Sequence, residues 1–272
     1  MPWGDESRTQ RIGRLLRTFA ADPVRVSRAL PGELRQVYRP AQGGEVEADQ
    51  AWEEHLHRLL GAAWPCAEGQ RLDRLMLDVG ALLAARGWGF GHDSYGWYAD
   101  ADSSLCRAVW CTVVHTRPQI VIETGVAHGV TSRIVLEALG KNDLGHLWSI
   151  DLPFPFDHRL HGETGAAVTG PCRDRWSYLE GSSRQRLPSL VARLGHVQVF
   201  IHDSLHTARN TVFEMEQVAS RMSRGGVMVV DDISMHAGFA TFARRHPGYR
   251  TIICPHADRS SMFGIALNAA NA

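Results

Sequence analysis

From Gln119 onward, short β-branched runs alternate with segments of helical period, and that alternation admits little besides a parallel sheet with helices wound on both faces. The runs are Ile120-Val121-Ile122, Leu147-Trp148-Ser149-Ile150, Trp176–Leu179, Val197–Ile201 and Val227–Val230. Between them, helices are expected over Thr131–Leu139, Arg184–Leu194 and 207–222. In the last of these, Val212, Met215, Val218, Ala219 and Met222 form one apolar face. A helix near 235–245 and two strands near 249–254 and 262–267, one of them antiparallel, complete the pattern. The fold class expected is α/β: a doubly wound, mostly parallel seven-stranded sheet, preceded by a helical region.

Residues 1–116 carry that helical region, and residues 117–272 the α/β domain. The clearest early helix runs from Gly69 to Arg86, with Leu72, Leu75, Met76, Val79, Leu82 and Leu83 at helical spacing and Gly87 as its stop. Segments 6–20, 24–38 and 48–62 repeat the period more weakly; Pro31 interrupts the second, and Pro40–Gly44 reads as a linker. Ser103 or Ser104 is expected to cap a helix ending at His115. The early helices are expected to cover the sheet edge or to build a homo-oligomer.

Formal net charge is zero over 272 residues, so nothing favours nucleic acid or an anionic membrane as partner. No apolar run is long enough to span a bilayer, and MPWGDESRTQR lacks the apolar core of a signal peptide, so a cytoplasmic protein is expected. Cys66, Cys106, Cys111, Cys172 and Cys254 are odd in number and scattered, without a CxxC pair. That spacing fits a reducing compartment and argues against a zinc knuckle.

Two acidic clusters stand where strands end. His202-Asp203-Ser204-Leu205-His206 follows one apolar run, and Asp231-Asp232 follows Gly225–Val230, with Asp203 and Asp231 separated by 28 positions. The carboxyl ends of parallel strands are where open α/β sheets bind ligands. Three carboxylates and a histidine gathered there point to a divalent metal with a base beside it. The bland alternative for Asp203 is to cap the helix that follows. His202 reads as structural or as a second polar group near the site.

The stretch Ile122-Glu123-Thr124-Gly125-Val126-Ala127-His128-Gly129 joins the first strand to the first helix of the sheet. Glycines let the backbone approach a ligand, though tight packing alone also selects them. Asp151 ends the second strand, 22 residues beyond Gly129, where an acid commonly accepts from ribose hydroxyls. Glu123 would repel a pyrophosphate but suits a cationic amino group, and Ala127 stands where a dinucleotide fingerprint has its second glycine. The loop therefore favours a nucleoside without phosphates, such as S-adenosylmethionine, over the nicotinamide cofactor of an oxidoreductase.

ETGVAHG, Asp151, HDSLH and GGVMVVDD together resemble a class I S-adenosylmethionine-dependent methyltransferase. Within that superfamily they are similar to the branch of macrolide-sugar O-methyltransferases and cephalosporin-hydroxylase-like proteins, over roughly residues 117–268. The resemblance implies a Rossmann-like methyltransferase fold. It implies that Glu123 and Gly125 contact the methionine part of the cofactor, and that Ala127 and Gly129 in the same loop also bind the cofactor. It places Asp151 on the ribose and Gly181-Ser182 by the adenine. Asp203, Asp231 and Asp232 match magnesium-ligand positions, with Asp203 also bordering the cofactor, and His206 matches the general base. Oxygen ligands suit magnesium. A metal beside the acceptor oxygen and an imidazole that titrates near neutrality together activate a hydroxyl.

The acceptor, a small molecule such as a sugar or natural product, has three candidate walls. They are the loop 152–175 with His158 and His161, His236 after the paired aspartates, and the aromatic residues Trp88, Tyr95, Trp97 and Tyr98. For His236 the plainer expectation is solvent exposure, and for the aromatic group a core or interface role. Two rivals remain at this level: a metal-independent N-methyltransferase and a non-catalytic scaffold of the same fold.

Overall fold

A computed structural model describes residues 47–89, 94–95, 100–153 and 158–269. The expected helices over 6–20 and 24–38, the Pro40–Gly44 linker, Trp97 and Tyr98 lie outside the described residues.

Seven strands form one sheet in the order β3-β2-β1-β4-β5-β7-β6. They are β1 Ile120–Thr124, β2 His146–Asp151, β3 Trp176–Glu180, β4 Val197–His202, β5 Met222–Val230, β6 Tyr249–Pro255 and β7 Met262–Asn268. The first five pair in parallel. β7 runs antiparallel to both β5 and β6, so β6 points the same way as β5 and its carboxyl end joins the same edge of the sheet. The order reverses between β1 and β4, the crevice where ligands settle in such sheets.

Helices α1 Trp52–Leu60, α2 Gly69–Ala85 and α3 Ser103–Thr116 precede the sheet. The others are α4 Val130–Asn142, α5 His158–Glu163, α6 Ser183–Leu194, α7 Ala208–Ala219 and α8 Gly238–Arg245. One face of the sheet packs with α1–α4, through Leu56, Leu83, Trp110, Leu136, Val199 and Val229. The opposite face packs with α6, α7 and α8, through Leu190, Phe200, Met215, Met228 and Phe242. Side chains such as Phe200 and Met228 are fully buried, each stabilising the fold by about 1.5–3 kcal/mol. Among the described residues, no helix is long and apolar enough to cross a membrane.

Local details depart from the sequence reading where side chains meet backbone. Asp102, not Ser103 or Ser104, caps α3: its carboxylate accepts from the amides of Ser104 and Leu105 at 2.8 and 3.4 Å. The helix expected over 207–222 ends at Ala219, and Met222 belongs instead to β5, where it pairs with Val197 of β4. The segment expected as a loop over 152–175 contains α5 and a 3-10 turn over Gly170–Arg175.

Candidate active site at the carboxyl edge of the sheet

The glycine loop leaves β1 through Gly125, whose φ is +86° and whose amide donates to the Ile150 carbonyl at 2.9 Å. A Cβ at Gly125 would stand 1.7 Å from the Asp203 carbonyl oxygen, so only glycine lets this loop abut the end of β4. Gly129, with φ +81°, precedes α4, and a Cβ there would stand 2.8 Å from the Gly165 Cα. The carbonyls of Ala127 and His128 accept from the amides of Gly165 and Ala167, at 2.8 and 2.7 Å. Ala127 itself takes a positive φ of 47°.

Glu123 lies under this loop, fully buried. Its Oε2 accepts from Ser132 Oγ at 2.5 Å and Ser149 Oγ at 2.7 Å, while Oε1 has no partner. Burial pushes its carboxyl up to about 7, against the pull of the two hydroxyls. A desolvated carboxylate oxygen with nothing to accept from is what a cofactor ammonium group would satisfy. Asp151, at the end of β2, accepts from the amides of Val126 and Ala127 at 3.2 and 3.3 Å. Burial raises it to about 6, with those amides pulling the other way. Gly181 donates its amide to the Asp151 carbonyl at 2.7 Å, and Ser182 stands at the N-cap of α6, which Gln185 meets from the first turn. The turn at 181–182 is thus tied to the backbone of Asp151 at the end of β2.

Beside the loop, the two acidic clusters converge. Ligand-type atoms of Asp203, His206 and Asp231 lie within 4.8 Å of one another, and so do those of Asp231, Asp232 and His256. His206 Nε2 is 3.6 Å from carboxylate oxygens of both Asp203 and Asp232. Burial, reinforced by repulsion from Asp231 and Asp232, holds Asp203 well above the usual carboxylate range. Burial presses Asp231 the same way, but the hydrogen bond from His256 Nε2, at 2.8 Å, together with the charges of His206 and His256, outweighs it and holds that carboxyl low. Carboxylates this close repel unless a cation joins them, so the donor set fits a divalent metal.

Asp203 does not cap the following helix. Thr207 does, its side chain accepting from the Asn210 amide at 3.2 Å. His256 escaped the sequence reading although it immediately follows β6 and so reaches the ligand edge. A titratable residue one position past a strand was the available signal, but the direction of β6 is set by pairing with β7. Glu214 was missed as well, as a lone acid on an amphipathic helix. It is fully buried on α7 and accepts from His202 Nδ1 and Thr124 Oγ1, both at 2.6 Å. Ser204 Oγ and Asn210 Nδ2 donate to its other oxygen, both at 2.8 Å. Burial alone would raise it, yet the His202 ring and the hydroxyl donors bring it down to about 2.

His202 is therefore buried within this scaffold. Its Nε2 meets Thr211 Oγ1 at 3.0 Å, and the same hydroxyl meets His236 Nε2 at 3.2 Å. His236 is buried, not solvent-exposed, and its Nδ1 accepts from the Gly238 amide at 3.1 Å, so both ring nitrogens already have partners within the protein. Desolvation lowers its pKa to about 4. His161 lies on α5; the backbone of His158 begins that helix, and its side chain lies outside the described residues. Of the aromatic group, Trp88 stacks on the buried His128 ring at 5.4 Å and Tyr95 meets it edge-on at 5.1 Å. Tyr95 also donates to the Leu160 carbonyl at 2.9 Å, tying α5 to the segment before α3.

Residues 122–233 match the model of a family described as a methyltransferase domain. No curated protein sequence matches the chain significantly. Among solved structures, the chain resembles the O-methyltransferase TomG from Streptomyces achromogenes, which is involved in tomaymycin synthesis and was crystallised with S-adenosylmethionine. The TM-score is 0.55 at 12% identity, over 72% of this chain and 90% of that one. It resembles equally an O-methyltransferase from Bacillus cereus in complex with S-adenosylhomocysteine, with TM-score 0.52 at 11% identity over 80% and 97% of the two chains. At such identity these likenesses speak for the fold.

Proposed function

We propose that the chain, whose residues 122–233 match a methyltransferase domain, is a class I S-adenosylmethionine-dependent methyltransferase that methylates a hydroxyl of a small molecule with the help of a divalent cation. The observation that carries this reading is the abutment of the glycine loop and the acidic cluster, since Gly125 lies directly against the Asp203 backbone. A donor seated over the loop and an acceptor held at the cluster would be neighbours, and such positioning supplies much of a transfer rate.

Glu123 Oε1 accepts from the cofactor ammonium, and Asp151 from the ribose hydroxyls, with Gly181 and Ser182 at the adenine side. Asp203, Asp231 and Asp232 hold the cation, and His256 orients Asp231 by donating to its Oδ1. When bound, magnesium would stabilise negative charge on the acceptor oxygen, and S-adenosylmethionine would supply the activated methyl. His206 takes the hydroxyl proton as general base. Its ring is held beside the cluster by an edge-on contact with the buried His202, 5.8 Å between centroids. A sugar or natural product with two neighbouring oxygens is the acceptor this arrangement suits, and neither nucleic acid nor a membrane is needed. His161 on α5 stands on the acceptor side in this reading, and His236 supports the scaffold behind His202.

A second reading of His206 has its own observation. Nε2 lies 3.6 Å from two of the carboxylates, a position equally suited to a metal ligand. The roles separate in a His206→Gln variant: a base loses turnover and keeps cation affinity, whereas a ligand loses both.

Calorimetric titration with S-adenosylhomocysteine and then magnesium, on wild type and Asp203→Ala, tests the whole reading. Cofactor binding by both, with magnesium binding lost only in the variant, is expected. Cofactor binding without a magnesium response would turn the reading to a metal-independent N-methyltransferase. Absence of cofactor binding would leave a scaffold of methyltransferase fold.

A further inference from the structure

Away from this edge, four side chains with no part in the proposed reaction meet between α1 and α3. Ligand atoms of His57, Cys66 and His115 lie within 4.8 Å of one another. Cys111 Sγ stands 3.8 Å from Cys66 Sγ, and His115 Nε2 stands 3.5 Å from the same sulfur. All cysteines here are free thiols. His57 is fully buried on α1; its Nδ1 donates to the Glu53 carbonyl at 2.7 Å, while Nε2 has no hydrogen-bond partner. The carbonyl holds the proton on Nδ1 and leaves the Nε2 lone pair unused inside the cluster, the arrangement usual for an imidazole that ligates a metal.

We propose that His57, Cys66, Cys111 and His115 form a tetrahedral site for zinc or a metal of like softness. With zinc–sulfur bonds of about 2.3 Å and zinc–nitrogen bonds of about 2.0–2.1 Å, a tetrahedron places two sulfurs about 3.8 Å apart and a sulfur and nitrogen about 3.5 Å apart. Two of the six separations, Cys66–Cys111 and Cys66–His115, already match. The Cys111 sulfur stands outside the 4.8 Å within which His57, Cys66 and His115 gather, and a turn of its side chain would complete the tetrahedron. Cys111 and His115 are four residues apart on α3 and so project from one face of it. Cys66 comes from the loop after α1. Two thiolates and two imidazoles select zinc over magnesium. Four protein ligands leave no open position, which marks a structural site. His115 lies near the end of α3 opposite Asp102, about 18 Å along the helix from the catalytic edge. The metal would rivet α1 and the 61–68 loop to α3, whose other contacts run to α4 behind the glycine loop.

The test uses tag-free, full-length protein purified without chelator. Elemental analysis is expected to find about one zinc per chain, retained on dialysis against magnesium and in Asp203→Ala but lost in Cys66→Ser and Cys111→Ser. Cobalt reconstitution of the wild type is expected to give thiolate-to-cobalt charge-transfer absorption, a readout that does not depend on any variant folding. A wild type that carries no zinc and gives no such band overturns the site. So does zinc that follows Asp203→Ala and not the cysteine variants, or thiol mapping that finds Cys66 and Cys111 joined as a disulfide.

Discussion

Glu123 concentrates the chemistry of the glycine loop in one side chain. Its carboxyl titrates near 7 in the folded protein, against 4.5 when exposed. Between those values the folded chain holds a proton that the unfolded chain has released, so the cofactor-free protein loses stability as pH rises through that window. The loss amounts to at most about 3 kcal/mol. Glu123→Gln removes this pH slope, which urea denaturation at pH 5 and pH 8 would reveal. The same variant should weaken S-adenosylhomocysteine binding at pH 8 by about 1.5–3 kcal/mol, the worth of a hydrogen bond to a charged group. Equal calorimetric affinities for wild type and variant would remove Glu123 from the site. Gly125 is as strictly determined, by space. Gly125→Ala drives a Cβ into the Asp203 carbonyl at positive φ, so a loss of at least about 2 kcal/mol in stability is expected, together with cofactor binding. Glu123 and Gly125 were legible in the sequence because both stand at the carboxyl end of the first apolar run, Glu123 within β1 and Gly125 just after it. Which oxygen of Glu123 is left unpaired was not, since Ser132 and Ser149 approach it from α4 and β2.

At the level of elements, the site is an edge at which β1, β4, β5 and β6 all end, with α7 buttressing it from behind. Glu214 on α7 binds four side chains from three elements and the loop after β4. With a folded pKa near 2 against 4.5, its contribution is complete above the higher value and disappears as pH falls toward the lower. Glu214→Ala leaves His202, Thr124, Ser204 and Asn210 without their common acceptor, and should cost about 3–5 kcal/mol in denaturant melts at pH 7. A cost under about 1 kcal/mol would mean that solvent replaces the carboxylate readily. His256, after β6, tests the other end of the edge. His256→Ala should weaken magnesium binding about 10–100-fold with cofactor affinity unchanged, since only the orientation of Asp231 is lost. Unaltered magnesium affinity would show that Asp231 needs no such support. The strands themselves were readable from short apolar runs, and the acids after β4 and β5 with them. His256 and Glu214 were not, because their importance depends on a strand direction and a helix face that sequence spacing leaves open.

Across the whole molecule, the helices before β1 and the sheet share one core, from Trp52 and Leu83 through Trp110 to Val199 and Ile265. The cluster of His57, Cys66, Cys111 and His115 belongs to this scale, since it joins α1, a loop and α3. If the zinc proposal holds, stripping that metal should lower the melting temperature of the whole protein, because a ligand bound only by the folded chain stabilises it by mass action. A melting curve insensitive to zinc removal would limit the site to a local role. The alternation of strand and helix, the glycine loop and the acids at strand ends were all written in the chain's local order. Hydrophobic period and turn chemistry act over a few residues, and a parallel sheet puts every strand's carboxyl end on one edge whatever the details of packing. The pairing of His256 with Asp231, the burial of His202 and His236 around Thr211, and the meeting of two scattered cysteines with two histidines depend on contacts between residues tens of positions apart. Their separation in sequence carries no sign of that proximity; it follows from strand order and from how the helices settle on the sheet.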